Sequence, residues 1–145
     1  MQFSQFNALV EEGYNHIPLS REVVVDTDTP LALYLKLANT PFTYFLESVQ
    51  GGEKWGRYSF IGLAAETIIK VNEYEIFVEK NGYLQEKFDV QDPLAWIEDF
   101  QEQFKVPQLD SLPDFNGGLV GYFGYEIIRY IEPKLKNIEK KDELN

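Results

Sequence analysis

The chain has 145 residues, no cysteine and a formal net charge of −11 at neutral pH. Hydrophobic residues make up 44% and aromatic residues 15%, a composition that indicates a folded domain and not a disordered chain. The acidic balance disfavours nucleic acid as a partner, because neutralising phosphates requires clustered Lys and Arg. The lack of cysteine excludes a disulfide framework and thiolate metal sites.

No apolar run approaches the length of a membrane span, and the N-terminus lacks the basic and apolar regions of a signal peptide. The run from Lys141 to Leu144 looks like an endoplasmic-reticulum retention signal, but Asn145 follows it, so it is not interpreted as one. We therefore expect a cytoplasmic protein with no membrane partner. The length predicts one domain over residues 1–133, and the charged residues 134–145 predict a frayed tail.

The first part of the chain predicts two helices with a strand between them. A helix is expected over residues 4–12, with Ser4 as its cap. The β-branched residues within 17–26 predict a strand. Thr29, followed by a proline at the first helical position, begins a second helix that should end near Asn39.

Residues 42–89 follow a β pattern, and the Asn-Gly pair at 81–82 predicts a two-residue type I′ hairpin. The strands are predicted near residues 43–48, 57–63, 66–72, 75–80 and 83–89. A further helix begins after Asp92, again with proline at its first position.

The end of the chain is predicted to be less regular. Residues 105–116 are expected to form a loop, residues 117–125 a glycine-rich strand, and residues 126–131 a short helix. Together these elements predict an α+β fold with a mainly antiparallel, sandwich-like sheet and flanking helices.

One stretch carries charged and polar residues that an ordinary hairpin does not need. Two apolar segments flank a glycine-rich turn, with Glu47 and Ser48 before it and Arg57 and Tyr58 after it. A site for a small zwitterion requires both a carboxylate and a cation, so this stretch is the candidate binding site. The competing interpretation is a cross-strand ion pair of Glu47 with Lys54 or Arg57.

Other motifs are better explained by structure than by chemistry. The glycines between 117 and 124 match neither a P-loop nor a dinucleotide fingerprint. His16, the one histidine, has no metal or catalytic partner near it in sequence, so we expect a loop residue held by hydrogen bonds. The acidic residues at 73–79 and 98–102 fall mostly on polar faces. No catalytic triad or metal-ligand cluster is evident, so we predict no catalytic residues in this chain.

Three blocks, in order, resemble component I of anthranilate synthase in its N-terminal domain. Leu46-Glu-Ser48 resembles the Leu-Glu-Ser element of that family. The run Gly51-Gly-Glu-Lys-Trp-Gly-Arg-Tyr-Ser-Phe-Ile-Gly62 is very close to the family's Gly-Gly-Glu-Arg-Trp-Gly-Arg-Tyr-Ser-Phe-Ile-Gly. Gly117-Gly-Leu-Val-Gly-Tyr-Phe-Gly-Tyr-Glu126 is similar to its Gly-Gly-x-x-Gly-Tyr-x-Gly-Tyr-Asp/Glu element.

This resemblance implies a role in converting chorismate to anthranilate and pyruvate, the first step of tryptophan biosynthesis. In the family, a glutamine amidotransferase subunit supplies ammonia and Mg²⁺ is required. The chorismate and Mg²⁺ residues of the family lie in a larger C-terminal domain that has no counterpart here. Residues 1–133 are therefore expected to be a truncated regulatory domain, inactive by itself.

The resemblance also implies a feedback site for L-tryptophan that includes Leu46, Glu47 and Ser48. The cation is expected to be Lys54 or Arg57, and Tyr58 completes the predicted set. Two alternatives stay open at this point. One is component I of aminodeoxychorismate synthase, and the other is a free-standing module that binds a small ligand.

Overall fold

The computed structural model describes residues 1–47, 58–110, 112, 115 and 117–135. Within these ranges there are four α-helices and five strands, which confirms the predicted α+β class. The helices are α1 (Phe3–Glu11), α2 (Pro30–Leu37), α3 (Pro93–Glu102) and α4 (Ile128–Ile131). The strands are β1 (Tyr44–Glu47), β2 (Ser59–Gly62), β3 (Thr67–Asn72), β4 (Glu75–Lys80) and β5 (Tyr83–Asp89). Single 3₁₀ turns are formed by Tyr125–Ile127 and Pro133–Leu135.

The strands form two sheets. One is the antiparallel pair β1–β2, and the other has three strands in the order β3-β4-β5. The turn between β4 and β5 has φ of +51° at Asn81 and +79° at Gly82. A type I′ turn requires positive φ at both central residues, so the predicted hairpin is confirmed.

The predicted caps of α2 and α3 are confirmed. The Thr29 hydroxyl accepts the Ala32 N–H at 3.2 Å, and one Asp92 carboxylate oxygen accepts the Leu94 and Ala95 N–H groups at 3.0 and 3.1 Å. These contacts satisfy donors that have no partner within the first helical turn.

The cap predicted for α1 was wrong, since the helix begins at Phe3 and Gln2 is its cap. The side chain of Gln5 accepts the Gln2 N–H at 2.9 Å, so this glutamine closes the helix start from within the first turn. Ser4 lies inside the helix.

Two predicted strands, at 17–26 and 117–125, are absent from the described structure. The side chain of Val24 is 81% exposed and that of Tyr122 is 94% exposed. Gly117 and Gly118 have φ of +149° and +138°, outside the β region for other residues. A β-branched or aromatic run forms a strand only when a neighbouring strand satisfies its backbone, so propensity was a poor guide here.

The chain divides into two compact units, Met1–Ser20 with Val71–Ile76 and Phe88–Asn145, and Arg21–Lys70 with Phe77–Lys87. In the first unit, the aromatic face of α3 forms a row of ring contacts. Trp96 stacks on Phe100 at 5.2 Å between centroids, and Phe100 meets Phe104 edge-on at the same distance. The three rings form one contiguous aromatic row, in which Phe104 lies just after the end of the helix.

In the second unit, α2 packs beside the β1–β2 hairpin. The ring of Tyr34 stacks on that of Phe45 at 5.6 Å, and its hydroxyl lies 3.1 Å from the Thr43 hydroxyl. Ala38, directly after α2, is 1% exposed. The hairpin that carries the predicted binding residues is thus anchored at its base by a helix.

Candidate functional site

The β1–β2 hairpin determines which candidate residues face each other. Its register pairs Tyr44 with Gly62 at one end and Glu47 with Ser59 at the other. The Ser59 hydroxyl donates a hydrogen bond to Oε1 of Glu47 at 3.4 Å. Glu47 and Ser59 form the last described register pair of the hairpin, which we call its last rung. This rung therefore holds a carboxylate and a hydroxyl side by side.

Side-chain alternation separates the described candidates onto two faces. Successive residues of a strand point to opposite sides, and directly paired residues point to the same side. Glu47 and Ser59 therefore share one face, while Leu46 and its partner Phe60 share the other. The centroid of the Tyr58 ring lies 6.0 Å from that of the Phe60 ring, so the two aromatic rings are neighbours. A ligand that contacts the side chains of both Glu47 and Leu46 would therefore have to reach both faces of the strand pair.

Glu47 is an exposed residue. Leu46 is 47% exposed and Tyr58 is 51% exposed. Side chains on both faces of the strand pair are therefore accessible to solvent at this point. An exposed carboxylate attracts a cation with about 1 kcal/mol at a separation of ~4 Å in water. Among the described residues, Glu47 therefore offers an accessible carboxylate that attracts a cation only weakly.

Three members of the predicted set, Ser48, Lys54 and Arg57, lie outside the described residues. The same holds for the glycines of the turn. The choice between Lys54 and Arg57 stays a prediction, and so does the competing cross-strand ion pair.

The base of the hairpin is held by a close approach between Tyr44 and Gly62. A carbon built in the Cβ position of Gly62 would lie 2.5 Å from Cζ of Tyr44 and closer still to two other ring carbons. The aromatic ring therefore occupies the space that a side chain would take at Gly62. The register that pairs Tyr44 with Gly62 at one end of the sheet places Glu47 opposite Ser59 at the other.

The remaining candidates have structural partners. His16 Nδ1 lies 3.1 Å from Oδ1 of Asn15, and the imidazole meets the Phe104 ring edge-on at 4.7 Å. This arrangement confirms the expected loop histidine held by hydrogen bonding. Glu79 pairs with Lys70 at 2.7 Å, as expected for a sheet face that meets solvent.

No group of three or more His, Asp or Glu gathers as a metal site within the described ranges. The same ranges contain no helix both long and apolar enough to cross a membrane.

Ser59 is the residue that sequence reasoning missed. It follows Arg57 and Tyr58 directly in the sequence, yet only the strand register places it opposite Glu47. The alternation of side chains along the two strands could have placed Ser59 beside Glu47 only if the length of the intervening turn had been known.

The chain is similar along nearly its whole length to proteins named anthranilate synthase component 1. It is 50% identical over 144 residues to that of Pseudomonas aeruginosa, covering 99% of this chain and 29% of the relative. For Neisseria meningitidis the identity is 52% over 143 residues, covering 97% and 29%. For Aquifex aeolicus it is 41% over 125 residues, covering 86% and 25%.

These matches lie in the N-terminal region of the relatives and confirm the family resemblance seen in the motifs. The chain spans less than a third of the length of the curated relatives it matches. No protein-family model and no solved structure matches it.

Proposed function

We propose that this chain is the N-terminal part of an anthranilate synthase component 1 and carries one side of its feedback site for L-tryptophan. The complete protein would convert chorismate and ammonia to anthranilate and pyruvate. The support for this assignment is the shared name of relatives at 41–53% identity. Because the chain covers under a third of those relatives, the reaction is assigned to a longer protein.

The observation that carries the ligand assignment is the last rung of the hairpin, where Glu47 is exposed beside the Ser59 hydroxyl. A carboxylate that already accepts one hydrogen bond keeps capacity for a second donor. The ammonium of an amino acid is such a donor, and it would form a charge-assisted hydrogen bond. Lys54 or Arg57 would neutralise the carboxylate of the ligand, and Ser48 would bind its polar head.

Feedback inhibition then requires that L-tryptophan bind two arrangements of the complete protein with different affinity. Catalytic residues would lie in the longer protein and not in this chain, so residues 1–145 alone should not turn over chorismate. Mg²⁺ would be bound in the longer protein as well. A glutamine amidotransferase, component II, would provide the ammonia, and the complete enzyme would be a cytoplasmic lyase.

The ligand assignment is tested with Glu47→Gln in the complete gene product. The variant keeps the size and hydrogen-bonding shape of the side chain and removes its charge. An exposed charge-assisted contact of about 1–1.4 kcal/mol corresponds to a fivefold to tenfold loss of affinity. We therefore expect the L-tryptophan concentration for half-inhibition to rise about fivefold to tenfold, while the uninhibited rate stays the same.

Glu98→Gln is the matched control, because Glu98 is also exposed and lies on α3. This control should leave half-inhibition unchanged. If both variants behave like the wild type, Glu47 is not part of an inhibitor site.

The reaction itself is tested by identifying the product formed from chorismate and ammonia. Anthranilate with pyruvate supports the proposal, whereas aminodeoxychorismate assigns the chain to the related branch. The names of the relatives favour anthranilate.

A further inference from the structure

We infer that Ser59 positions the Glu47 carboxylate for the ammonium group of the ligand, and so belongs to the same recognition site. This inference rests on the proposed tryptophan site. It adds a residue that lies outside the Leu-Glu-Ser element and approaches from the opposite strand. The observations that carry it are the Glu47–Ser59 register pair and the hydrogen bond from Ser59 to Oε1.

The side chain of Glu47 is free to adopt several conformations. Glutamate has several rotatable bonds, and an exposed one samples many rotamers unless a partner restrains it. Glu47 is exposed and occupies the last position of β1, so packing restrains it little. A donor on the neighbouring strand therefore has a direct effect on where its carboxylate lies.

Ser59 supplies that donor from a fixed backbone position. It is the first residue of β2 and lies directly opposite Glu47 in the antiparallel ladder. Its hydroxyl reaches Oε1 at 3.4 Å, a long hydrogen bond that orients the carboxylate without burying it. Occupation of Oε1 favours binding of an incoming ammonium at Oε2.

The two faces of the hairpin explain why a residue on β2 is needed. Leu46, the neighbour of Glu47 in sequence, shares the opposite face with Phe60. Neither of these side chains can therefore hold the carboxylate. On the side of Glu47, the directly opposed residue is Ser59, and directly opposed positions have the closest Cβ atoms in a sheet.

The experiment compares Ser59→Ala and Ser59→Thr in the complete gene product, with two ligands measured by calorimetry. L-tryptophan carries the ammonium group, and indole-3-propionate has the same ring and carboxylate without it. We expect Ser59→Ala to bind L-tryptophan about twofold to fivefold more weakly and to bind indole-3-propionate as the wild type does. Ser59→Thr keeps the hydroxyl and should restore most of the L-tryptophan affinity.

Controls separate positioning from a general loss of structure. Ser4→Ala removes a hydroxyl from α1 and should change neither affinity. In the double variant Glu47→Gln/Ser59→Ala, the two losses should be clearly less than additive, because Ser59 acts through Glu47. Equal weakening of both ligands by Ser59→Ala, or additive losses, would overturn the inference.

The outcomes also distinguish this inference from the proposed function. If the wild type binds L-tryptophan and Ser59→Ala binds it equally well, the positioning role is wrong while the feedback site stands. If the wild-type protein does not bind L-tryptophan at all, the proposed site itself is wrong, and Ser59 loses its assigned role with it.

Discussion

Replacing Gly62 with alanine tests the close contact between Gly62 and the Tyr44 ring at one end of the hairpin. A carbon at the Cβ position would lie 2.5 Å from Cζ of Tyr44 and closer to its neighbours in the ring, whereas carbon atoms pack best at about 3.5–4.0 Å. The Tyr44 ring must therefore move away. Overpacking of this kind typically costs about 1–3 kcal/mol.

A second effect acts in the opposite direction. Alanine lowers the conformational freedom of the unfolded chain and is about 0.5–1 kcal/mol more favourable than glycine inside a strand. The net change expected for Gly62→Ala is therefore a loss of about 1 kcal/mol in the free energy of unfolding. In a Tyr44→Ala background, where the ring is absent, Gly62→Ala should instead raise the free energy of unfolding.

The assay is urea unfolding followed by far-ultraviolet circular dichroism, applied to the single variants and to the double variant. The coupling between Tyr44 and Gly62 should be about 1–2 kcal/mol, since the two positions are in direct contact. Gly121→Ala is the control, because nothing lies within 4 Å of its Cβ position and its φ is not in the left-handed region. Additive effects of the two substitutions would refute the proposed contact.

Two further predictions concern the first unit and use the same unfolding assay. Asp92→Ala removes the acceptor for two N–H groups at the start of α3 and should cost about 0.5–2 kcal/mol, while Asp99→Ala on the exposed face should cost little. Asn15 donates to the Gln103 carbonyl at 2.7 Å and accepts the Lys105 N–H at 2.8 Å. Asn15→Asp loses the donor and should cost about 0.5–1.5 kcal/mol, whereas the same change at Asn7 on α1 should have little effect. A loss at the control position equal to that at the tested position would contradict either prediction.

Local signals in the sequence predicted the elements that depend on local chemistry. The caps at Thr29 and Asp92 and the turn at Asn81 each follow from a side chain or a backbone preference that acts within a few residues. These features appear in the structure where they were predicted. The start of α1 was missed because Gln5 closes it from inside the helix.

Features that depend on distant partners were predicted less well. The valines near Val24 have strand propensity, but the described structure provides no neighbouring strand for them. The pairing of Glu47 with Ser59 likewise depends on residues that are distant in the sequence. The connection over residues 48–58 is too long for a tight-turn rule to set the register, so the sequence identified Glu47 and did not identify its partner.

The most direct test of the central claim is a calorimetric titration of the complete gene product with L-tryptophan, using chorismate as the comparison ligand and Glu47→Gln as the variant. The account predicts saturable binding of L-tryptophan, weakened about fivefold to tenfold by Glu47→Gln, with chorismate binding unchanged by the substitution. L-tryptophan binding that is identical in the wild type and the variant, or absent from the wild type, would contradict it.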